Sequence, residues 1–216
     1  MARNKYPEVT VERILEVSQR LFLEKGYDHT TIQDIVDELG GLTKGAVYHH
    51  FKSKEEILDA VGDRMFFANN PFESVKKRTD LNGLEKLREV IRLNQGDKKR
   101  TELTMQMLPI AQNPRLLVEM IVSNRKILTP YFLELLEEGN RDSSIHTQYA
   151  QEIAELLPLL TSLWLLPSVF PADKEGTRRK FYFIGDMMEK MGVPLMDDSI
   201  RSLVEDFADN FPETAE

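Results

Sequence analysis

The chain of 216 residues has no cysteine. That excludes disulfides, thiolate metal sites and cysteine nucleophiles together, and it suits a reducing compartment. Nowhere do eighteen apolar residues follow one another, and Met1-Ala2-Arg3-Asn4-Lys5 leads into no hydrophobic signal region. The expectation is a soluble cytoplasmic protein without membrane contact. Also missing are a glycine-rich phosphate loop, a Gly-x-Ser-x-Gly elbow and a zinc-binding helix motif. Carboxylates abound, but on helix faces a solvated charge is their default. No catalytic residue, no enzyme activity and no cofactor is expected. Histidine is scarce, limited to His29, His49, His50 and His146. His49 and His50 are adjacent, so on a helix they diverge by roughly 100° and cannot chelate one ion together. No metal site is expected, and His50 should pack or hydrogen-bond beneath its helix. Strand alternation, internal repeats and low-complexity tracts are absent as well.

What the chain does have is core material and a lopsided charge. Hydrophobic residues make up 41%, enough for a sizeable core, and the formal net charge is -8. Residues 1–54 carry eight basic and eight acidic side chains, so the whole excess lies beyond them. An acidic total argues against nucleic acid only if spread evenly, because affinity depends on the face that meets phosphate.

The stretch from Thr30 to Lys54 is the most informative. Thr31 with Asp34 three residues on predicts a capping box, and Ile32, Ile35, Val36 and Leu39 give a helical apolar face. Gly40-Gly41 should end that helix. Thr43 can cap a second short helix whose Val47 and Phe51 point inward together. Thr43, Lys44, Tyr48 and His49 are then left outside, as a reader of the DNA major groove requires. Ser53-Lys54-Glu55-Glu56 reads as another capping box. It opens a fourth helix with Ile57, Leu58, Val61 and Met65 on its apolar side and Pro71 at its close. Ahead of these, Val9 to Lys25 reads as a bracing helix capped by Thr10 and stopped by Gly26.

Thr-Thr-Ile-x-Asp-Ile at 30–35, followed by Gly-x-Thr-Lys-Gly-x-x-Tyr-His-His-Phe-Lys-Ser-Lys-Glu-Glu at 41–56, resembles the DNA-binding signature of the tetracycline-repressor (TetR) family. The resemblance runs from about Val11 to Leu58. It carries one residue more than the usual pattern between Leu39 and Tyr48, so Gly41 reads as an insertion that can rotate which side chains reach the bases. It implies an all-α fold with a helix-turn-helix head, residues 1–54, and a helical regulatory and dimerisation body, residues 55–216. Residues matching Thr31, Tyr48 and Lys54 would contact phosphates, and those matching Thr43, Lys44, Gly45 and His49 would face base edges. The implied function is a ligand-responsive repressor that binds an inverted-repeat operator in double-stranded DNA as a homodimer. A small-molecule effector in the body would shift the fourth helix and move the heads. Two other readings stay open: a protein of the same fold governed by a protein partner or by no ligand, and a helical enzyme or carrier with an incidental helix-turn-helix.

Beyond the head, helical spacing predicts helices over Leu84–Gln95, Arg100–Ala111, and Leu117 to about Leu135 with a bend at Pro130 and an end at Gly139-Asn140. Further helices are expected over Gln148–Leu166 with a kink at Pro158, Lys174–Met191 and Asp197–Asp209. Phe66, Met105, Met120, Tyr131 and Trp164 are candidates to line an effector pocket, with ordinary core as the plain alternative. Asn124 is polar on an apolar stripe and, if buried, needs a hydrogen-bond partner that an effector could supply. The resemblance implies that helices near 148–166 and 175–191 pair with a second subunit. Leu160, Leu163, Phe181, Ile184 and Met188 are the candidates for that contact.

Overall fold

The computed structural model describes residues 7–68, 70–96, 114–166 and 169–209. Every regular element among them is helical. The described residues as far as Asn70 form one compact unit, the head, and those from Pro71 onward form a second, the body.

In the head, α1 (Pro7–Lys25) begins two residues before the expected start, so Thr10 lies in its first turns rather than at its cap. Proline suits a first helical position because its missing N–H would have no partner there anyway. Gly26 closes α1 at φ +84°. Next come α2 (Ile32–Leu39), α3 (Lys44–His50) and α4 (Lys54–Ala68). Ile14, Leu21 and Phe22 of α1 meet Ile35 and Leu39 of α2, Val47 of α3, and Ile57, Leu58 and Val61 of α4 in one buried cluster. Each such side chain stabilises the fold by about 1.5–3 kcal/mol on full burial. Polar ties on the rim fix the packing angles. Arg20 donates to Glu38 at 2.6 Å and to Glu24 at 3.1 Å, Lys25 pairs with Asp34 at 3.3 Å, and Arg64 pairs with Glu12 at 3.2 Å.

In the body, Pro71 opens a short helix instead of only closing α4: α5 spans Pro71–Lys76. It is followed by α6 (Gly83–Gly96), α7 (Pro114–Ser123), α8 (Thr129–Asp142), α9 (Ala150–Leu159), α10 (Lys174–Lys190) and α11 (Asp198–Asp209). The helix expected over 100–111 lies outside the described residues. A wide π turn, Asn124–Leu128, joins α7 to α8, with the Thr129 N–H reaching back five residues to the Asn124 carbonyl. The bend expected at Pro130 is therefore realised just before it. The proline sits in the first turn of α8, where its missing donor is harmless. A second wide turn, Leu160–Trp164, follows Pro158 at the end of α9.

Gly139-Asn140 does not end α8. The helix runs on to Asp142 and stops at Ser143, which takes the left-handed conformation at φ +66°. Gly139 serves a crossing: a Cβ added to Gly83 would fall 2.2 Å from the Gly139 nitrogen. The start of α6 thus lies directly on the backbone of α8. Lys86 of α6, almost wholly buried, donates to Glu138 of α8 at 2.6 Å beside this contact. Helix α8 also packs on α9, and α11 on both α10 and α6. Among the described residues no helix is long and apolar enough to cross a membrane, and no His, Cys, Asp and Glu cluster has the make-up of a metal site.

Candidate nucleic-acid interface

The geometry of α2 and α3 follows from their caps. The Thr31 hydroxyl accepts the Asp34 N–H at 3.1 Å, and the Asp34 carboxylate accepts the Thr31 N–H at 2.8 Å, which completes the capping box. Hydrogen bonds from Thr31, side chain first and backbone second, with a further one from Lys25, draw the Asp34 carboxyl down to about 2. At the other end of α2, Arg13 reaches across from α1 and donates to the Leu39 carbonyl at 2.8 Å. A cation at a helix C-terminus answers both the dipole and an unpaired carbonyl. Only contact across the fold reveals this role of Arg13.

Gly40 and Gly41 both take positive φ, +52° and +88°, which only glycine adopts without strain. The extra residue is absorbed there, and Leu42 tucks half-buried against the head core. Thr43 then caps α3, its hydroxyl accepting the Ala46 N–H at 3.2 Å. Val47 is wholly buried and Phe51 nearly so. Thr43, Lys44, Gly45, Tyr48 and His49 are all exposed, so the inserted glycine leaves the outward set of α3 as its register predicts. His50 is half-buried, with its ring edge-on to that of His49.

Of the candidate phosphate contacts, Thr31 and Tyr48 are exposed while Lys54 is not free. Its ammonium donates to the carbonyls of Tyr27 at 2.8 Å and Thr30 at 3.0 Å. It also lies 4.0 Å from the centre of the Tyr27 ring, and burial lowers its pKa. A signal for this was present in the sequence. A lysine that opens a helix sits at the positive end of the dipole, where a cation is unfavourable unless something else holds it.

This set of helices and turns is the point at which comparison with known proteins becomes informative. Residues 14–61 match the family model for bacterial regulatory proteins of the tetR family. The chain belongs to the tetR family. It is 57% identical over 47 residues to the uncharacterized HTH-type transcriptional regulator YerO of Bacillus subtilis, a match covering 22% of this chain and 16% of YerO. Over 46 residues it is 46% identical to the HTH-type transcriptional repressor KstR2 of Mycobacterium tuberculosis, covering 21% and 22% of the two chains. The chain thus spans less than a quarter of the length of these tetR-type relatives. Similarity in fold reaches further. A tetR-family regulator from Pectobacterium atrosepticum superposes over 89% of this chain and 98% of its own, with a TM-score of 0.63 at 18% identity.

The candidate effector residues fall in separate places. Tyr131 stacks on Phe72 with ring centres 4.9 Å apart, and Met120 is half-buried. The side chain of Phe66 and all of Met105 lie outside the described part. Asn124 is buried, but its amide donates to the Ser162 hydroxyl at 2.6 Å, and Ser162 in turn donates to the Pro158 carbonyl at 2.6 Å. The partner that Asn124 requires is within the chain, and the bond ties the two wide turns together. Trp164 meets Phe183 edge-on at 5.6 Å in an open groove of about 470 Å³ that Arg179 and Lys180 also line.

The candidate dimer residues divide too. Leu160 and Leu163 are half-buried on the second wide turn. Ile184 and Met188 are buried within their own chain, and Phe181 packs on Phe207 of α11. A stripe at helical spacing marks an apolar face without saying what covers it. Here the exposed apolar side chains are Phe183 on α10, Leu156 on α9 and Phe170 between those helices.

Proposed function

We propose that this tetR-family protein is a ligand-responsive transcriptional repressor, working in the cytoplasm and binding an inverted-repeat operator as a homodimer. One observation carries the DNA-binding part. Thr43, Lys44, Gly45, Tyr48 and His49 share the exposed side of a capped α3 whose other side holds Val47 and Phe51 in the core. A short helix so anchored presents small and polar groups to base edges in the major groove. The small size of Gly45 lets the backbone come close.

One such helix reads only a few base pairs. Two held about 34 Å apart read both halves of a palindrome on one face of the duplex. The exposed Leu156 and Phe183, with the half-buried Leu160 and Leu163, supply apolar surface for pairing two bodies. The name of KstR2 as a repressor supports the sign of regulation. The effector would be a small molecule held by the body, and linkage requires that it weaken DNA binding by the same factor by which DNA weakens effector binding.

Selection from random duplex DNA tests the reading. An enriched inverted repeat is the expected result, and recovery of no preferred sequence refutes it. Sedimentation at micromolar concentration tests the assembly, and a monomer there counts against the dimer.

A further inference from the structure

Lys54 occupies the position that, by resemblance, touches phosphate, yet its ammonium is engaged elsewhere. An ammonium has three N–H donors. Two of them meet the carbonyls of Tyr27 and Thr30 at 2.8 and 3.0 Å, and the group faces the Tyr27 ring at 4.0 Å. These acceptors all belong to the loop between α1 and α2. That loop is itself knotted. Thr30 is fully buried, with its hydroxyl donating to the carbonyls of Gly26 at 2.8 Å and Leu21 at 3.2 Å. The next residue, Thr31, caps α2. Lys54 therefore joins the first residue of α4 to the segment that places the start of α2. Moving its ammonium onto a phosphate would strip two carbonyls of a charged donor.

Two residues earlier stands Lys52, exposed in the corner between Phe51, which ends α3, and Ser53, whose hydroxyl caps α4. Its backbone N–H is held by the Glu56 carboxylate at 2.6 Å, which fixes the direction of the corner. Its ammonium meets no carboxylate among the described residues. From the geometry we infer that Lys52 makes the phosphate contact at this corner, while Lys54 is a positioning residue that latches the α1–α2 loop to α4. This assignment rests on the DNA-binding reading above.

The test uses the full chain and a duplex recovered by selection, with affinity measured by fluorescence anisotropy over a range of salt concentrations. Each phosphate contact contributes about 0.9 to the slope of log affinity against log salt. Lys52→Gln should lower the slope by about one contact and leave the thermal midpoint unchanged. Lys54→Met should weaken binding by roughly tenfold or more with the wild-type slope, at a temperature where circular dichroism shows it folded. Lys54→Gln keeps one amide donor and serves if the methionine variant does not fold. It should show the same slope with a smaller loss. A Lys54 variant that loses one contact from the slope, or that binds as tightly as wild type, overturns the inference, as does an unchanged slope for Lys52→Gln. If wild type binds no duplex, the DNA reading falls and takes this assignment with it. If wild type binds and only the slopes disagree, the assignment alone is lost.

Discussion

Replacing Gly83 by alanine separates local propensity from packing. At the first residue of α6, alanine should help by up to about 1 kcal/mol on helix propensity alone. The crossing with α8 says otherwise. The new Cβ would lie 2.2 Å from the Gly139 nitrogen, 2.5 Å from its Cα and 2.9 Å from the Glu138 carbonyl carbon, all backbone atoms that cannot rotate away. Reaching ordinary carbon contact near 3.5–4.0 Å requires the two helices to part by more than about 1 Å. That movement strains the Gly83 N–H bond to Asp142 at 2.7 Å, the Leu84 N–H bond to Ser144 at 3.1 Å and the Lys86–Glu138 pair at 2.6 Å. Overpacking costs about 1–3 kcal/mol, and each weakened hydrogen bond up to about 1 more, so a loss of about 2–4 kcal/mol is expected. For a chain of this size that corresponds to a fall in thermal midpoint of about 5–15 °C. Urea unfolding of Gly83→Ala beside Gly62→Ala measures it. Gly62 lies within α4 with nothing inside 4 Å of its added Cβ, so that variant should gain roughly 0.5–1 kcal/mol. A Gly83→Ala protein as stable as wild type would refute the account of the crossing.

Three other outcomes follow from the site and the body. Lys44→Ala should weaken a selected duplex by about 1–3 kcal/mol more than random DNA, whereas Tyr48→Phe should weaken both alike; equal losses for Lys44→Ala would remove it from the base-reading set. The folded Asp34 carboxyl titrates near 2, below its ordinary 3.8, so its contribution to head stability is complete above about pH 4 and disappears as pH falls through about 2. Asp34→Asn should flatten that acid limb in a circular-dichroism titration, and an unaltered limb would argue against the capping box as its source. Phe183→Asp should give a folded monomer in sedimentation because the ring is 56% exposed, while Met188→Asp, fully buried, should unfold the body. A dimeric Phe183→Asp protein would move the interface elsewhere.

Much of the head was legible because its determinants are local. Thr31 and Asp34, the two glycines, Thr43, and the pair Val47 and Phe51 each act within four residues of one another, the range over which caps and helical faces are written. What was hidden acts over long separations. Gly139 looks like a helix stop until Gly83, 56 positions earlier, is seen resting on it. Asn124 does carry an unmet need in the sequence, but only the fold identifies Ser162, 38 residues on, as the group that meets it. For Lys54, the family pattern indicated phosphate, while its place at the positive end of α4 hinted at the carbonyls it holds. On α10, periodicity found Ile184 and Met188 but could not tell an inward stripe from an outward one.

The head's own ion pairs set the tempo of its meeting with DNA. Arg20, Lys25 and Arg64 are each closed onto carboxylates of the same module, and the excess negative charge lies beyond residue 54. Little field reaches out to draw a duplex in from a distance. Encounter should therefore run at the unsteered pace of about 10⁵–10⁷ M⁻¹s⁻¹, with much of the affinity residing in slow departure once α3 is seated. A repressor of this kind loses little time on stray sequences, and how long it occupies a site is decided by the fit of a few side chains.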